Sequence, residues 1–168
     1  MGRIRSAIVE SPIDSGEVTR WLGAPECGAE VLFLGIVRAN NLGHKVQAVS
    51  YDCMVPLAEK TLAKIAREAL EIVGSEGAVC VIHRIGTLPV GEASVIIGTA
   101  SPHRSESYKA SRHVIEEIKK RLPIWKKEHY EDGESEWLEG HALCTKSHDA
   151  KSHGSDSCGG SVEPDGKR

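Results

Sequence analysis

Between Pro56 and Gly74 the apolar side chains at 58, 62, 65, 66, 69, 72 and 73 fall on one stripe of a helix, with Glu59, Lys60, Lys64, Glu68 and Glu71 outside it. Pro56 suits the first turn of such a helix, where its missing N–H is harmless, and Gly74 supplies the stop. A helix with one broad apolar face must cover something, and the chain offers strands for it to cover. Residues 29–37 (AEVLFLGIV) are nearly continuous in apolar side chains, as a buried strand is, whereas 46–53 (VQAVSYDC) alternates. Residues 78–85 and 93–100 flank the turn-rich loop 86–92 and read as a hairpin. Strands and helices mix without strict βα alternation. That order predicts a single α+β domain with a largely antiparallel mixed sheet and helices packed on one face.

Smaller signals fill in the ends. Asp14 can cap a short helix carrying Val18, Trp21 and Leu22, which Gly23 and Pro25 stop. From Glu139 onward Gly, Ser, Lys, His and Asp replace large apolar residues, so that segment cannot offset the entropy of ordering. The expected organisation is a folded domain over residues 1–138 and a flexible polar tail over 139–168. Five cysteines at 27, 53, 80, 144 and 158 form neither a disulfide framework nor a zinc pattern, and Cys53 and Cys80 read as buried thiols. His141, Cys144, His148, His153 and Cys158 match no ligand spacing, so no metal is expected. Cys158-Gly159-Gly160 is followed by further residues and is no terminal sulfur-carrying Gly-Gly. A net charge of −3 argues against a general nucleic-acid binder and makes any basic patch local. No apolar run approaches a membrane span, and Met-Gly-Arg-Ile-Arg-Ser lacks the apolar core of a signal peptide, so a cytosolic protein is expected.

One basic patch stands out. Lys119–Glu128 places four lysines and an arginine around Pro123 and Trp125, and Ser101-Pro-His103-Arg104 precedes the helix leading into it. On that helix, roughly 105–122, Tyr108, Ser111, Ile115, Ile118 and Leu122 share a stripe. Glu116, Glu117, Lys120 and Arg121 lie off it, facing water, and Lys119 sits at its edge, where its ammonium is only partly hydrated. Pro123 ends the helix, letting Ile124 and Trp125 pack and Lys126 turn back towards the helix end. Two readings compete. Cations in a last helical turn ordinarily complement the helix dipole and stay in water. Alternatively they bind an anion, which would explain Arg104 in a first turn, a poor place for a cation without an anion beside it. His83-Arg84, within a strand, reads as an edge or interface pair.

The ordered set Gly28-Ala-Glu30, Leu34-Gly-Ile-Val-Arg38 with Asn41 and Gly43, and Val81-Ile-His-Arg-Ile-Gly86 resembles the large, catalytic subunit of molybdopterin synthase. The resemblance continues through Pro89-Val-Gly-Glu92, Ser101-Pro-His-Arg104, Ile118-Lys119 and Pro123-Ile-Trp-Lys-Lys-Glu128 to Gly133 and Trp137. It implies a hammerhead-like fold and a sulfurtransferase. Two sulfurs pass from the C-terminal Gly-Gly thiocarboxylate of a small ubiquitin-like sulfur-carrier subunit to cyclic pyranopterin monophosphate, making the dithiolene of molybdopterin. It also implies a homodimer of the large subunit within a heterotetramer, with no cofactor or metal in the site. By the same resemblance Lys119 is the leading catalytic residue and Lys126 its assistant. Arg38, His103 and Arg104 bind phosphate, Ile36 and Val37 line the same loop, and Lys127 and Glu128 complete the site. Members place an arginine after the late tryptophan, where this chain offers His141 and Lys146. A non-catalytic adaptor that binds a ubiquitin-like tail is the alternative, which the presence of both Lys119 and Lys126 disfavours.

Overall fold

The computed structural model describes residues 2–133 and the short strand Trp137–Leu138; the expected tail, with His141 and Lys146, lies outside the described residues. The elements are β1 (Arg3–Val9), α1 (Ser15–Leu22), β2 (Ala29–Ile36), β3 (Asn40–Asn41), β4 (His44–Cys53) and α2 (Val55–Val73). They continue as β5 (Ala78–Arg84), β6 (Gly86–Pro89), β7 (Ala93–Ser101), α3 (Arg104–Arg121), β8 (Ile124–Tyr130) and β9 (Trp137–Leu138). One sheet has the order β1-β5-β7-β2, parallel between β1 and β5 and antiparallel elsewhere. The other runs β3-β4-β8-β9, with β6 also paired to β4, and is antiparallel throughout.

β5 and β7 are buried along almost their whole length because both faces of their sheet are covered. Val79, Val81, Val95 and Ile97 meet Leu62, Ile65 and Ala69 of α2 and Ala110, Val114 and Ile118 of α3. The alternate positions Ala78, Cys80, Ile82, Ile96 and Ala100 meet Val18 and Leu22 of α1 on the reverse face. The molecule is thus an α+β domain whose two long helices share one face, while short α1 takes the other. Asp14 Oδ1 accepts from the Gly16 N–H at 2.8 Å, the expected cap of α1. Gly98 lies beneath α1, and a Cβ there would fall 2.5 Å from Leu22 Cδ1 and 3.1 Å from Val18 Cγ1.

Several local expectations change. Ala29–Ile36 is an outermost strand, not a buried one: Leu32, Phe33, Leu34 and Ile36 are 36–48% exposed. β5 and β7 do pair antiparallel, but their connection peels off as β6 onto β4. The α3 stripe is rotated to Ser107, Ala110, Ser111, Val114 and Ile118, leaving Tyr108 64% exposed. Small residues there let α3 approach the sheet, where Thr99 Oγ1 donates to the Ser107 carbonyl at 2.9 Å. Arg121 does not simply face water. It reaches Glu68 of α2 with both terminal nitrogens (2.7 and 3.1 Å) and Glu117 at 3.0 Å, tying the two long helices together. Trp125 is 39% exposed, while Ile124 packs. Among the described residues no helix is long and apolar enough to cross a membrane.

Replacing Gly98 with valine should push α1 off β7 and lower the unfolding free energy by about 1–3 kcal/mol, read from urea denaturation midpoints.

Candidate active site

A cleft of about 500 Å³ opens between the end of β2, strands β4 and β8, and the C-terminal half of α3. Its walls mix apolar side chains (Phe33, Ile36, Val46, Val49, Ile115) with Arg38, His83, Ser94, Lys119, Lys126 and Glu128. A register shift between Gly35 and Ile36 lifts the chain out of the β2–β7 ladder. Val37, 4% exposed, is then clamped: its N–H donates to the Glu92 carbonyl at 2.9 Å and its carbonyl accepts from the Gly91 N–H at 2.8 Å. Gly91 has φ +92°, a turn conformation that glycine adopts without strain. This clamp sets Arg38 at the cleft.

Lys119 and Lys126 arrive from different elements. Lys119 lies in the last turns of α3; after Leu122 caps the helix, Pro123 turns the chain into β8. Strand alternation then sorts the cations. Lys126, Glu128 and Tyr130 share one face of β8, whereas Trp125, Lys127 and His129 occupy the other. On that second face His129 Nε2 lies 2.7 Å from Ser50 Oγ.

Glu128 is the electrostatic centre. It is 4% exposed, is ion-paired with Lys126 Nζ, and accepts from Asn41 Nδ2 at 2.8 Å and Tyr130 Oη at 2.5 Å. Asn41 Oδ1 in turn accepts from Arg38, so a chain of polar contacts runs Arg38–Asn41–Glu128–Lys126. Burial alone would raise the Glu128 pKa, but the bonds from Lys126, Tyr130 and Asn41 outweigh it and hold the carboxyl below its ordinary range. Tyr130 is shifted upward, first by burial and then by donating to Glu128. Lys119, by contrast, is exposed, and among the described residues no carboxylate pairs with it. The cleft therefore presents Arg38, Lys119 and Lys126 against one carboxylate, an excess of positive charge suited to anions.

Of the residues singled out from sequence, the structure gathers Ile36, Val37, Arg38, Lys119, Lys126 and Glu128 around this cleft. It does not gather the rest. His103 and Arg104 stand at the opposite end of α3, with Arg104 roughly 22 Å from Lys119 along the axis at 1.5 Å per residue. Lys127 lies on the other face of β8. Asn41, Tyr130, Ser94 and His83 carry the site's polar framework without having been assigned a role. His83 is not on an edge strand: it is 3% exposed on interior β5 and lines the cleft. An imidazole directly after the apolar run 78–82 was the available signal. Among the described residues no cluster of His, Cys, Asp or Glu is placed to hold a metal.

Because the folded Glu128 pKa is depressed, its contribution to stability is fully present above the ordinary glutamate value of 4.5 and is lost as pH falls through the lowered folded value. Glu68 and Glu117, held low chiefly by the Arg121 hydrogen bond, add to the same acid limb. Glu128→Gln should lower stability at neutral pH and flatten, without abolishing, the loss of stability below that value, measured by denaturant titration across pH.

The family model described as MoaE protein matches residues 8–121. The chain is 41% identical over 134 residues to a molybdopterin synthase catalytic subunit of Synechococcus elongatus, covering 80% of this chain and 81% of the relative. It superimposes on the crystal structure of molybdopterin synthase from Staphylococcus aureus with a TM-score of 0.73 and 39% identity, covering 79% of this chain and 95% of the other. A Helicobacter pylori structure, a complex of subunits 1 and 2 of molybdopterin-converting factor, shares the fold at TM-score 0.64 and 21% identity, over 80% of this chain and 88% of the other.

Proposed function

The chain belongs to the MoaE family, and from that premise we propose that it is the catalytic subunit of molybdopterin synthase, with residues 1–138 as its catalytic domain. It moves sulfur from the C-terminal thiocarboxylate of a small ubiquitin-like carrier subunit to cyclic pyranopterin monophosphate. The observation that carries the proposal is the division of labour between two lysines at one cleft. Lys126 is fixed by buried Glu128, whereas Lys119 meets no carboxylate among the described residues and remains available to a ligand.

The chemistry asks for this pairing. Both reactants are anionic, one a cyclic phosphate and the other a thiocarboxylate, and charge shifts onto the carrier's carbonyl oxygen as its C–S bond breaks. Lys119 can donate a proton or hydrogen bond to that carbonyl, or accept the acyl group on its amine, while the sulfur bonds to a side-chain carbon of the pterin as a C–O bond at that carbon breaks, its oxygen leaving with the phosphate or, once protonated, as water. The acyl group then passes to water and leaves the carrier as a carboxylate; a second carrier repeats the step for the second sulfur. Lys126, held by Glu128, orients substrate, and Arg38, held by Asn41, takes the phosphate. Apolar Val46, Val49 and Ile115 exclude water from the transfer.

His103 and Arg104 join the phosphate site from a second copy of the chain. Within one copy the length of α3 keeps them from Lys119, so their role requires a homodimer. The outermost strand β2, with its half-exposed Leu32, Phe33, Leu34 and Ile36 beside the cleft, is apolar surface such a dimer would cover.

Purified protein mixed with thiocarboxylated carrier and cyclic pyranopterin monophosphate should form molybdopterin. Lys119→Ala should reduce the rate at least ~100-fold with an unchanged circular dichroism spectrum, the scale of loss for a transition-state donor. Full activity in that variant would refute the role of Lys119, and carrier binding without any product would favour the adaptor.

A further inference from the structure

His83 lies on β5 at the inner wall of the cleft, 3% exposed, and its Nδ1 is 2.9 Å from the Arg84 carbonyl oxygen. A carbonyl can only accept, so Nδ1 carries the proton, and in the neutral ring Nε2 is a bare acceptor. No protein donor meets Nε2 among the described residues. Tyr51 fixes the ring from the side, edge-on at 5.4 Å between centroids and 74° between planes. Burial also pushes the imidazole pKa down to about 4, against a smaller upward effect of the Arg84 carbonyl, so the ring stays neutral at physiological pH. Ser94, 6% exposed on the same cleft, has the same arrangement: its Oγ donates to the Gly35 carbonyl at 3.1 Å, leaving lone pairs for the cavity.

The cleft is therefore chemically two-sided. Arg38, Lys119 and Lys126 offer donors and positive charge, while His83 and Ser94 have spent their protons on backbone carbonyls and offer acceptors. We infer that His83 Nε2 and Ser94 Oγ form a neutral acceptor pair that receives N–H donors of the substrate's ring system and so orients it against the cationic side. A pterin, whose fused ring presents several N–H groups, satisfies both sides at once; this inference rests on the proposed substrate. The acceptors carry no charge, so they select a donor-bearing ring without weakening the site's hold on phosphate. His83 acts here as a positioning residue.

The test exploits amide mimicry. In His83→Asn the side-chain amide can replace Nδ1 as donor to the Arg84 carbonyl but leaves nothing at the Nε2 position; in His83→Gln the amide reaches the Nε2 position and can present its oxygen there. In the reconstituted synthase His83→Asn should raise KM for the pterin about tenfold with kcat changed less than about threefold, and His83→Gln should recover most of that loss. An unchanged KM in His83→Asn, or equal loss in both variants, would overturn the assignment. A second readout needs no variant. In ¹⁵N-histidine-labelled wild-type protein without carrier, cyclic pyranopterin monophosphate should shift the bare Nε2 resonance of His83 upfield as it gains a hydrogen bond, and saturation with no shift would also overturn it. Failure of wild-type protein to make any product would count against the proposed function, a result distinct from both.

Discussion

The covering of β5 and β7 on both faces is the constraint on which the rest depends. Two interior strands buried along their length can carry few polar side chains, so the odd positions go to α2 and α3 and the even ones to α1. Once α3 is pinned to that sheet by Ala110, Val114 and Ile118, and to α2 by Arg121 and Glu68, its C-terminus has one place to be. Pro123 then directs the chain into β8, whose register on β4 sets Lys126 opposite Tyr51 and Glu128 opposite Val49. The backbone position of both lysines follows from this packing and pairing.

Charge is the second layer. A buried carboxylate such as Glu128 costs more in lost hydration than a single partner returns, which is why three donors converge on it. That convergence gives Lys126 a fixed position and, through Asn41, does the same for Arg38. Among the described residues Lys119 has no such anchor. Neutralising it with a protein carboxylate would remove a cation that an incoming anion meets without first displacing a carboxylate. Fixed and available cations at one cleft are what separates a reaction site from the ordinary complement of a helix dipole.

The sequence was most legible where period and burial coincide. The stripe from Ala58 to Val73 reads as a helix because one face is wholly apolar, and Asp14 and Gly74 mark ends through local chemistry that needs no tertiary context. β2 misled because its apolar run serves an exposed outer strand, and apolar content alone cannot distinguish a core from a surface awaiting cover. Arg3 and Arg5 hide β1, and the lysines of 126–127 hide β8, whose alternation appears only once the pairing with β4 is known. The candidate site shared that limit. Helical phase could separate Lys119 from Lys120, but only a strand could separate Lys126 from Lys127, and only the length of α3 could remove His103 and Arg104 from the same copy of the cleft.

That separation along α3 gives the proposed dimer a chemical meaning. If phosphate ligands reside at one end of a rigid helix and the transfer lysine at the other, a single copy holds two half-sites facing different directions. In the proposed dimer each cleft is completed by the neighbour's helix N-terminus, where a cation such as Arg104 is unfavourable until an anion occupies the gap. The electrostatic misfit of Arg104 within its own helix is then relieved by substrate, so affinity for the phosphate and assembly of the cleft become coupled. The acceptor face formed by His83 and Ser94 is set on the interior strands and stays with its own copy. In the proposed dimer one copy orients the ring, performs the transfer and meets the phosphate with Arg38, and its neighbour adds His103 and Arg104.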